Sequence, residues 1–423
     1  MKTIFRSISL AALVMGVSAA GVLAQDVCAD TPGQTELSTK FTENYNKPDI
    51  ASRKSAVEAG KQFLEKYGAC PTQKELVDYY NKYIPGMESK IKAEEAKAAT
   101  DALYGRFNKA HESKNWDELY AAGKEVLAKE PNNIDVILAL GSVGYDETFK
   151  KNLKYNEDTI RYAKLAIEKL NGGAKSDTFG VYEWSYKNKD NALGWMNLSI
   201  GYIMFQQGNK KEALPYLYQA TLLNSDTKKN PLVYETIGRF YYDQASALLT
   251  EIKTMVADAK DTDPDDVKTQ KAAAIKAKVA LLNGTAERAI DAYARSYNVA
   301  KADPKTKAYA DEQYKKIQVL YGVRFPDKGA TGLDAFIASV VTKPMPDPAS
   351  AVTPIEPEAP ADTATTTSTS STSVNTPTET VPAPVAARNA TTTTKTAVTN
   401  TKAPVTTKTP AKAPAKKTVA KKG

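Results

Sequence analysis

The chain contains one histidine, His111, among its 423 residues. A single imidazole excludes metal sites that need a histidine pair, and the polar residues around His111 predict a solvated surface side chain. The sequence also lacks the glycine-rich loop that binds nucleotide phosphates and the Gly-x-Ser-x-Gly motif of serine hydrolases. We therefore predict that the protein is not an enzyme and holds no catalytic residue, no metal ion and no cofactor.

Long apolar runs are absent as well, with one exception at the N-terminus. Lys2 and Arg6 precede an uncharged apolar run, residues 8–23, which ends in small residues suited to a signal peptidase. The run is shorter than the roughly 20 residues that span a bilayer, so a cleaved signal peptide over 1–24 is favoured over a permanent anchor. The prediction is an exported protein, periplasmic or extracellular, that is not an integral membrane protein after cleavage.

Cysteine is nearly absent too, because Cys28 and Cys70 are the only two and both lie near the start of the exported chain. Two cysteines in an oxidising compartment can form a disulfide, which we predict here; two buried thiols are the alternative. In chain-entropy terms, closing that loop would stabilise the fold by about 4 kcal/mol.

Aromatic residues are absent from residues 345–423, which consist almost wholly of Pro, Thr, Ala, Ser, Val and Lys. Such a segment cannot bury enough apolar surface to offset the entropy of ordering, so we predict a disordered basic tail. The tail has nine basic and five acidic residues, which leaves only about +2 of the net charge of +8 for residues 25–344. The body therefore shows no sign of binding nucleic acid.

Helical periodicity, by contrast, runs through residues 35–342 without convincing strand alternation, so the predicted fold class is all-α. In residues 195–220, two apolar helical runs flank Gly208, and Gly201 leaves room for two antiparallel helices to approach closely. A second helix of this kind carries Gly238 in the place of Gly201, 37 residues later.

A longer repeat indicates the same architecture. Residues 59–66 (AGKQFLEK) recur 63 residues later as 122–129 (AGKEVLAK), and a proline soon follows each segment. Helix pairs that recur in this way are typical of an α-solenoid, in which each pair buries its apolar face against the next. Helices predicted over 306–321 and 333–341 would cap its C-terminal end. The predicted domains are a signal peptide (1–24), a solenoid (25–344) and the tail (345–423).

These features resemble the tetratricopeptide-repeat (TPR) family. Its first helix has a large residue, Leu-Gly and an aromatic, and its second has Ala, a large apolar residue, Ala and a closing Pro. Parts of this pattern are found at Trp116, Pro131, Leu140, Gly141, Gly201, Gly208, Ala213, Leu217, Ala220, Ile237, Gly238 and Tyr241. The match is good over 100–142 and 191–242, although Met204 replaces an aromatic and Ser225 the closing Pro. The resemblance implies a right-handed α-solenoid of four to six TPR-like helix pairs.

Members of that family bind protein or peptide partners in a concave groove lined by the first helix of each pair. Here the corresponding stripe, which we predict to be the partner-binding groove, consists of Trp195, Leu198, Tyr202, Phe205, Leu232, Glu235, Arg239 and Tyr242. Aromatic side chains beside an arginine suit peptide recognition, whereas the alternative is that they pack against neighbouring repeats or an inserted loop at 171–190. The predicted function is an exported, non-catalytic scaffold or adaptor for a protein or peptide partner.

The tail leads to a second hypothesis. Residues 410–423 are rich in lysine and would contact an anionic polymer or lipid surface of the cell envelope, since an exported protein meets no chromatin. In that case the protein is a structural envelope protein that binds through its tail. A solubilising spacer without a specific partner is the remaining alternative.

Overall fold

The computed structural model describes residues 27–357, so the predicted signal peptide and tail residues 358–423 lie outside the described part. All regular secondary structure within 27–357 is helical and no strand occurs there, which confirms the all-α prediction. None of the helices in this range is long and apolar enough to span a bilayer.

The chain is a succession of helices joined mostly by short connections. In chain order they are α1 (Thr31–Tyr45), α2 (Ile50–Tyr67), α3 (Lys74–Glu112), α4 (Trp116–Lys129), α5 (Ile134–Leu140), α6 (Val143–Thr148), α7 (Asn156–Asn171), α8 (Lys189–Gln206), α9 (Lys210–Leu222), α10 (Pro231–Asp258), α11 (Asp265–Ala300), α12 (Lys307–Arg324) and α13 (Leu333–Val341). Contacts divide them into an N-terminal and a C-terminal unit, with the boundary between Ala102 and Leu103 inside α3.

Local sequence signals determine where several helices begin and turn. The side chains of Asn115, Asn133 and Asn188 each accept a hydrogen bond from a backbone N–H in the first turn of α4, α5 and α8. Such caps satisfy donors that have no partner within the helix. Gly208 connects α8 to α9 with a φ of +90°, a conformation that glycine adopts without strain.

The N-terminal unit is a small helical core closed by a covalent bond. Cys28 and Cys70 lie at disulfide distance with their Cα atoms 5.5 Å apart, which confirms the predicted pairing. The bond links the segment before α1 to the segment after α2. Asp30 lies close by and accepts hydrogen bonds from Lys66 and Tyr67 and from the N–H of Gly33, so its pKa falls to about 2.

In the C-terminal unit, each helix packs mainly on its neighbours in the chain. α7 packs on α8, α8 on α9, α10 on α11 and α11 on α12; α5 and α13 contact helices next but one in sequence, α7 and α11. Apolar residues buried between them form one continuous core. The helices predicted around Gly201 and Gly238 are confirmed as α8, α9 and α10.

Glycines lie where these helices approach most closely. A Cβ atom on Gly201 would lie 2.7 Å from Cγ of Leu217 in α9, and one on Gly238 would lie 3.0 Å from the ring of Tyr293 in α11. Real Cβ atoms do not approach a neighbour to 2.7 Å, so at Gly201 the helix spacing depends on the missing methyl group.

The repeated AGK segments end helices in both units, as the sequence predicts. Gly60 in α2 faces Ile84, and Gly123 in α4 faces Leu140; a Cβ would lie 2.7 Å and 2.9 Å from these side chains. Each glycine also faces a phenylalanine of an earlier helix. The repeat therefore has the same packing role within each unit.

Replacing both cysteines by serine should destabilise the N-terminal unit. We expect Cys28→Ser with Cys70→Ser to lower its free energy of unfolding by about 2–4 kcal/mol, because the open chain gains entropy when unfolded. Hydrogen exchange of the α2 amides measures this loss, and the α8 amides in the C-terminal unit serve as the control. Thiol labelling of both cysteines in the denatured, unreduced protein would contradict the pairing.

The Gly201 contact gives a matched pair of variants. Gly201→Ala should lower the free energy of unfolding by about 1–3 kcal/mol because the new methyl group overlaps Leu217. Gly322→Ala in α12 should be neutral or stabilising by up to about 1 kcal/mol, since its Cβ would meet nothing within 4 Å. Urea unfolding followed by tryptophan fluorescence compares the two, and equal stabilities would contradict the close packing.

Candidate functional site

The aromatic residues predicted to line a groove are mostly buried. Trp195, Leu198, Tyr202 and Phe205 are each less than 9% exposed. The ring of Tyr202 stacks on Phe149 with centroids 4.8 Å apart. These four side chains therefore belong to the core of the C-terminal unit. Rings from the helix and loop that precede α8 cover Trp195 and Tyr202, whereas Arg239 of α10 lies over Phe205.

Solvent reaches the charged end of the predicted stripe more readily. Glu235, Arg239 and Tyr242 are half-buried, whereas Leu232 is buried. The Arg239 guanidinium lies 5.6 Å from the ring centroid of Phe205, and Glu235 accepts a hydrogen bond from Lys316 at 3.2 Å. A partner-binding role for this set stays a prediction.

The body of the protein already holds a non-helical peptide segment, which is part of its own chain and turns once, at Asp347–Ser350. We call residues 343–357 (KPMPDPASAVTPIEP) the strap. The sequence placed all but the first two of them in the disordered tail, but the structure describes them, and they lie along α11. The strap runs antiparallel to this helix. The first strap residue, Lys343, binds Arg295 near the C-terminal end of α11, and Glu356 near the end of the strap pairs with Lys276, closer to the N-terminal end of α11.

The side chains of two arginines and one asparagine of α11 donate hydrogen bonds to the strap backbone. Arg288 donates to the carbonyl oxygens of Asp347 and Ala351, at 2.7 Å and 2.9 Å, and to the Ser350 hydroxyl at 2.8 Å. Farther along, Asn283 donates to the Ile355 carbonyl at 3.0 Å. Hydrogen bonds from a charged guanidinium are stronger than neutral ones, so Arg288 is the main polar anchor.

Further contacts secure both ends of the strap. Arg295 donates to the Lys343 carbonyl at 2.7 Å, and the N–H of Ile355 donates to the carbonyl of Ala280 at 2.8 Å. The Tyr218 hydroxyl lies 3.3 Å from the Met345 carbonyl oxygen. These partners extend over more than ten residues of strap, which specifies its register.

Four apolar residues of the strap are less exposed than the others. Pro348 is buried, and Met345, Val352 and Ile355 are half-buried. Met345 and Val352 pack against the apolar core of the C-terminal unit. The anchors are therefore distributed along most of the strap, three or four residues apart.

Gly284 in α11 is the point of closest approach. A Cβ atom there would overlap the carbonyl oxygen of Thr353 and lie 3.0 Å from Cγ1 of Val352, and the nearest atoms all belong to the strap. Glycine inside a helix is less favourable than alanine by about 1 kcal/mol. The helix thus carries a destabilising residue at the position where the strap backbone passes.

A buried carboxylate orients one of the strap-binding arginines. Asp291 is 7% exposed and accepts a hydrogen bond from Arg295 at 2.7 Å. Burial raises the pKa of Asp291, and the neighbouring guanidinium acts in the opposite direction. Burial also raises the pKa of Tyr241, whose hydroxyl lies 3.2 Å from Arg288. The arginines that bind the strap are thus held in place by neighbouring side chains, while the apolar core beneath them contacts Met345 and Val352.

His111 lies in a different setting from the solvated surface expected for it. Its ring stacks on Tyr182 with centroids 3.7 Å apart, and its Nε2 lies 2.7 Å from a carboxylate oxygen of Glu183. The side chain is 16% exposed, because the loop that follows α7 folds over it. No group of three or more potential metal ligands occurs within residues 27–357.

Sequence reasoning missed the strap-binding residues on α11, which we call the α11 face: Lys276, Ala280, Asn283, Gly284, Arg288 and Arg295. Most of them recur at intervals of four or seven, so they share one side of the helix. The available signal was the isolated Gly284 in a helix of 36 residues. Comparison of the chain with protein families, curated proteins and solved structures finds no match.

Gly284→Ala should release the strap without harming the helix. The methyl group overlaps the strap backbone, so we expect the Ile355 amide, which donates to α11, to exchange roughly 5- to 150-fold faster, as for a loss of about 1–3 kcal/mol. Hydrogen exchange read by mass spectrometry measures this. Gly322→Ala is the control, and its strap should exchange at the wild-type rate. Equal protection in both variants would show that Gly284 does not govern strap binding.

Proposed function

We propose that the protein is an exported, non-catalytic scaffold of TPR-like helix pairs that binds an extended peptide segment of a protein partner. The observation that carries the proposal is the α11 face, which holds a non-helical peptide segment through Arg288, Arg295 and Asn283. The contacts fall mainly on backbone carbonyls, so a segment of another chain could make the same ones.

The helical framework suits such a role. Serial packing of neighbouring helices, with small residues where they approach, is the arrangement that a right-handed solenoid of TPR-like pairs would use. The Cys28–Cys70 pair is compatible with an exporting pathway and an oxidising compartment. Both features support the proposal independently of the strap.

The chemistry of the α11 face favours recognition over catalysis. Its side chains offer hydrogen-bond donors and cationic charge, and its one acceptor to the strap is the backbone carbonyl of Ala280. Donors of this kind bind and orient a peptide, whereas attack on a peptide bond needs a nucleophile or an activated water.

A selection of random peptides tests this proposal. Peptides that enrich on the full-length protein should bind Arg288→Glu at least about tenfold more weakly, because the main donor becomes an acceptor. Arg161→Glu is the matched control, since this exposed arginine pairs with Asp158 on α7. Fluorescence anisotropy measures the affinities. Selected peptides that bind wild type and Arg288→Glu equally would contradict the proposal.

The same peptides distinguish binding by the helices from binding by the basic tail. A chain truncated after Pro357 keeps every described contact, so peptide binding should be unchanged. Loss of binding on truncation would instead support the hypothesis that the basic tail is the binding element.

A further inference from the structure

The strap occupies the α11 face as a ligand would, although it belongs to the same chain. We infer that the strap is an intramolecular competitor, and that the partner segment is a proline-containing acidic peptide of the same chemistry. This inference rests on the proposed function and adds to it the class of partner and the means of regulation.

The pattern of hydrogen bonds selects for proline. The face donates to strap carbonyls, and it accepts from a single strap amide, the N–H of Ile355. Five of the fifteen strap residues are proline and have no N–H group. Asp347 satisfies two more amides within the strap, accepting from Ala349 through its side chain and from Ser350 through its carbonyl. Because proline needs no acceptor, a proline-containing peptide suits a face that accepts from only one of its amides.

Charge complementarity indicates an acidic partner. The α11 face carries the cations Lys276, Arg288 and Arg295, of which Arg295 is paired with Asp291. The strap contributes Asp347, Glu356 and one cation, Lys343, so its net charge is negative. Lys276 and Glu356 lie 3.2 Å apart in an exposed ion pair, which guides register more than it adds affinity. The partner is therefore expected to carry net negative charge, with an acidic residue near the C-terminal end of its proline-containing stretch.

The strap is bound in a way that permits its release. Most of its side chains are exposed, and its anchors are half-buried apart from Pro348. It follows α13 with one intervening residue, Thr342, so it never diffuses far from the face. A short tether gives an effective concentration on the order of millimolar, against which any partner must compete. The free chain is thus a low-affinity state, and removal of the strap should raise affinity.

The experiment uses a fluorescein-labelled synthetic peptide of residues 343–357 and the full-length protein. Val352→Asp with Ile355→Asp places charges on two apolar anchors and should free the face while leaving α11 unchanged. Ala349→Asp with Thr353→Asp is the matched control, because it adds the same charge at exposed strap positions. Anisotropy should show the peptide binding the anchor variant at least about tenfold more tightly than either wild type or the control.

A second substitution locates the bound peptide. Adding Gly284→Ala to the anchor variant should abolish the gained affinity, since the added methyl group overlaps the backbone of any peptide in the strap position. Adding Gly322→Ala should leave the affinity unchanged. Gained affinity that survives Gly284→Ala would overturn the assignment of the α11 face.

Failure of this inference can be told apart from failure of the proposed function. Equal peptide affinity for wild type and the anchor variant would overturn competition by the strap, while Arg288-dependent binding of selected peptides would still support the scaffold. No binding of the strap peptide to the anchor variant would overturn the assigned partner chemistry. Loss of Arg288 dependence among the selected peptides would remove the proposed function itself.

Discussion

Close approach of neighbouring helices at glycine is the constraint on which this structure depends. At Gly60, Gly123 and Gly201 a Cβ atom would come within 3 Å of an apolar side chain of another helix. Interiors as dense as those of proteins accept an extra methyl group at such contacts only if the facing side chain or the helix itself moves. The spacing of neighbouring helices is therefore set by residues that contribute no side chain at all.

The same device serves a different purpose at Gly284. There the glycine faces the carbonyl oxygen of Thr353, and the closest atoms belong to the strap instead of a helix. A helix of 36 residues would be more stable with alanine at this position, by about 1 kcal/mol. Helix stability alone gives no reason for glycine, whereas accommodation of a peptide backbone does.

The helices could be predicted from the sequence because their signals are local. Asparagine caps, Gly208 and the periodicity of α8 and α9 all act within a few residues. The strap could not be predicted, because its composition is that of a disordered segment and its partners lie about 60 residues away on α11. Its order comes from tertiary contacts with Arg288 that no local pattern reveals.

The predicted groove shows the same limit: residue spacing predicts which side chains share a face of a helix, but not which other elements pack on that face. Spacing alone placed Trp195 and Tyr202 on one face of α8, but it could not show that Tyr145 and Phe149 would cover that face. Aromatic stripes on a helix bury large areas, so they are attractive to a neighbouring helix as well as to a ligand. The α11 face lacks such a stripe, so no aromatic pattern in the sequence indicates that it binds a peptide.

Binding through backbone carbonyls explains how one face can serve two occupants. Arg288 and Arg295 are half-buried beneath the strap, and water can replace the strap carbonyls as their hydrogen-bond acceptors when the strap leaves, which lowers the free-energy cost of exposing the face. A face built from large apolar pockets would instead favour permanent closure or aggregation. Arginine donors with few apolar contacts beneath them thus favour exchange of the strap for a similar peptide. The short link between α13 and the strap determines which occupant is present when no partner is near.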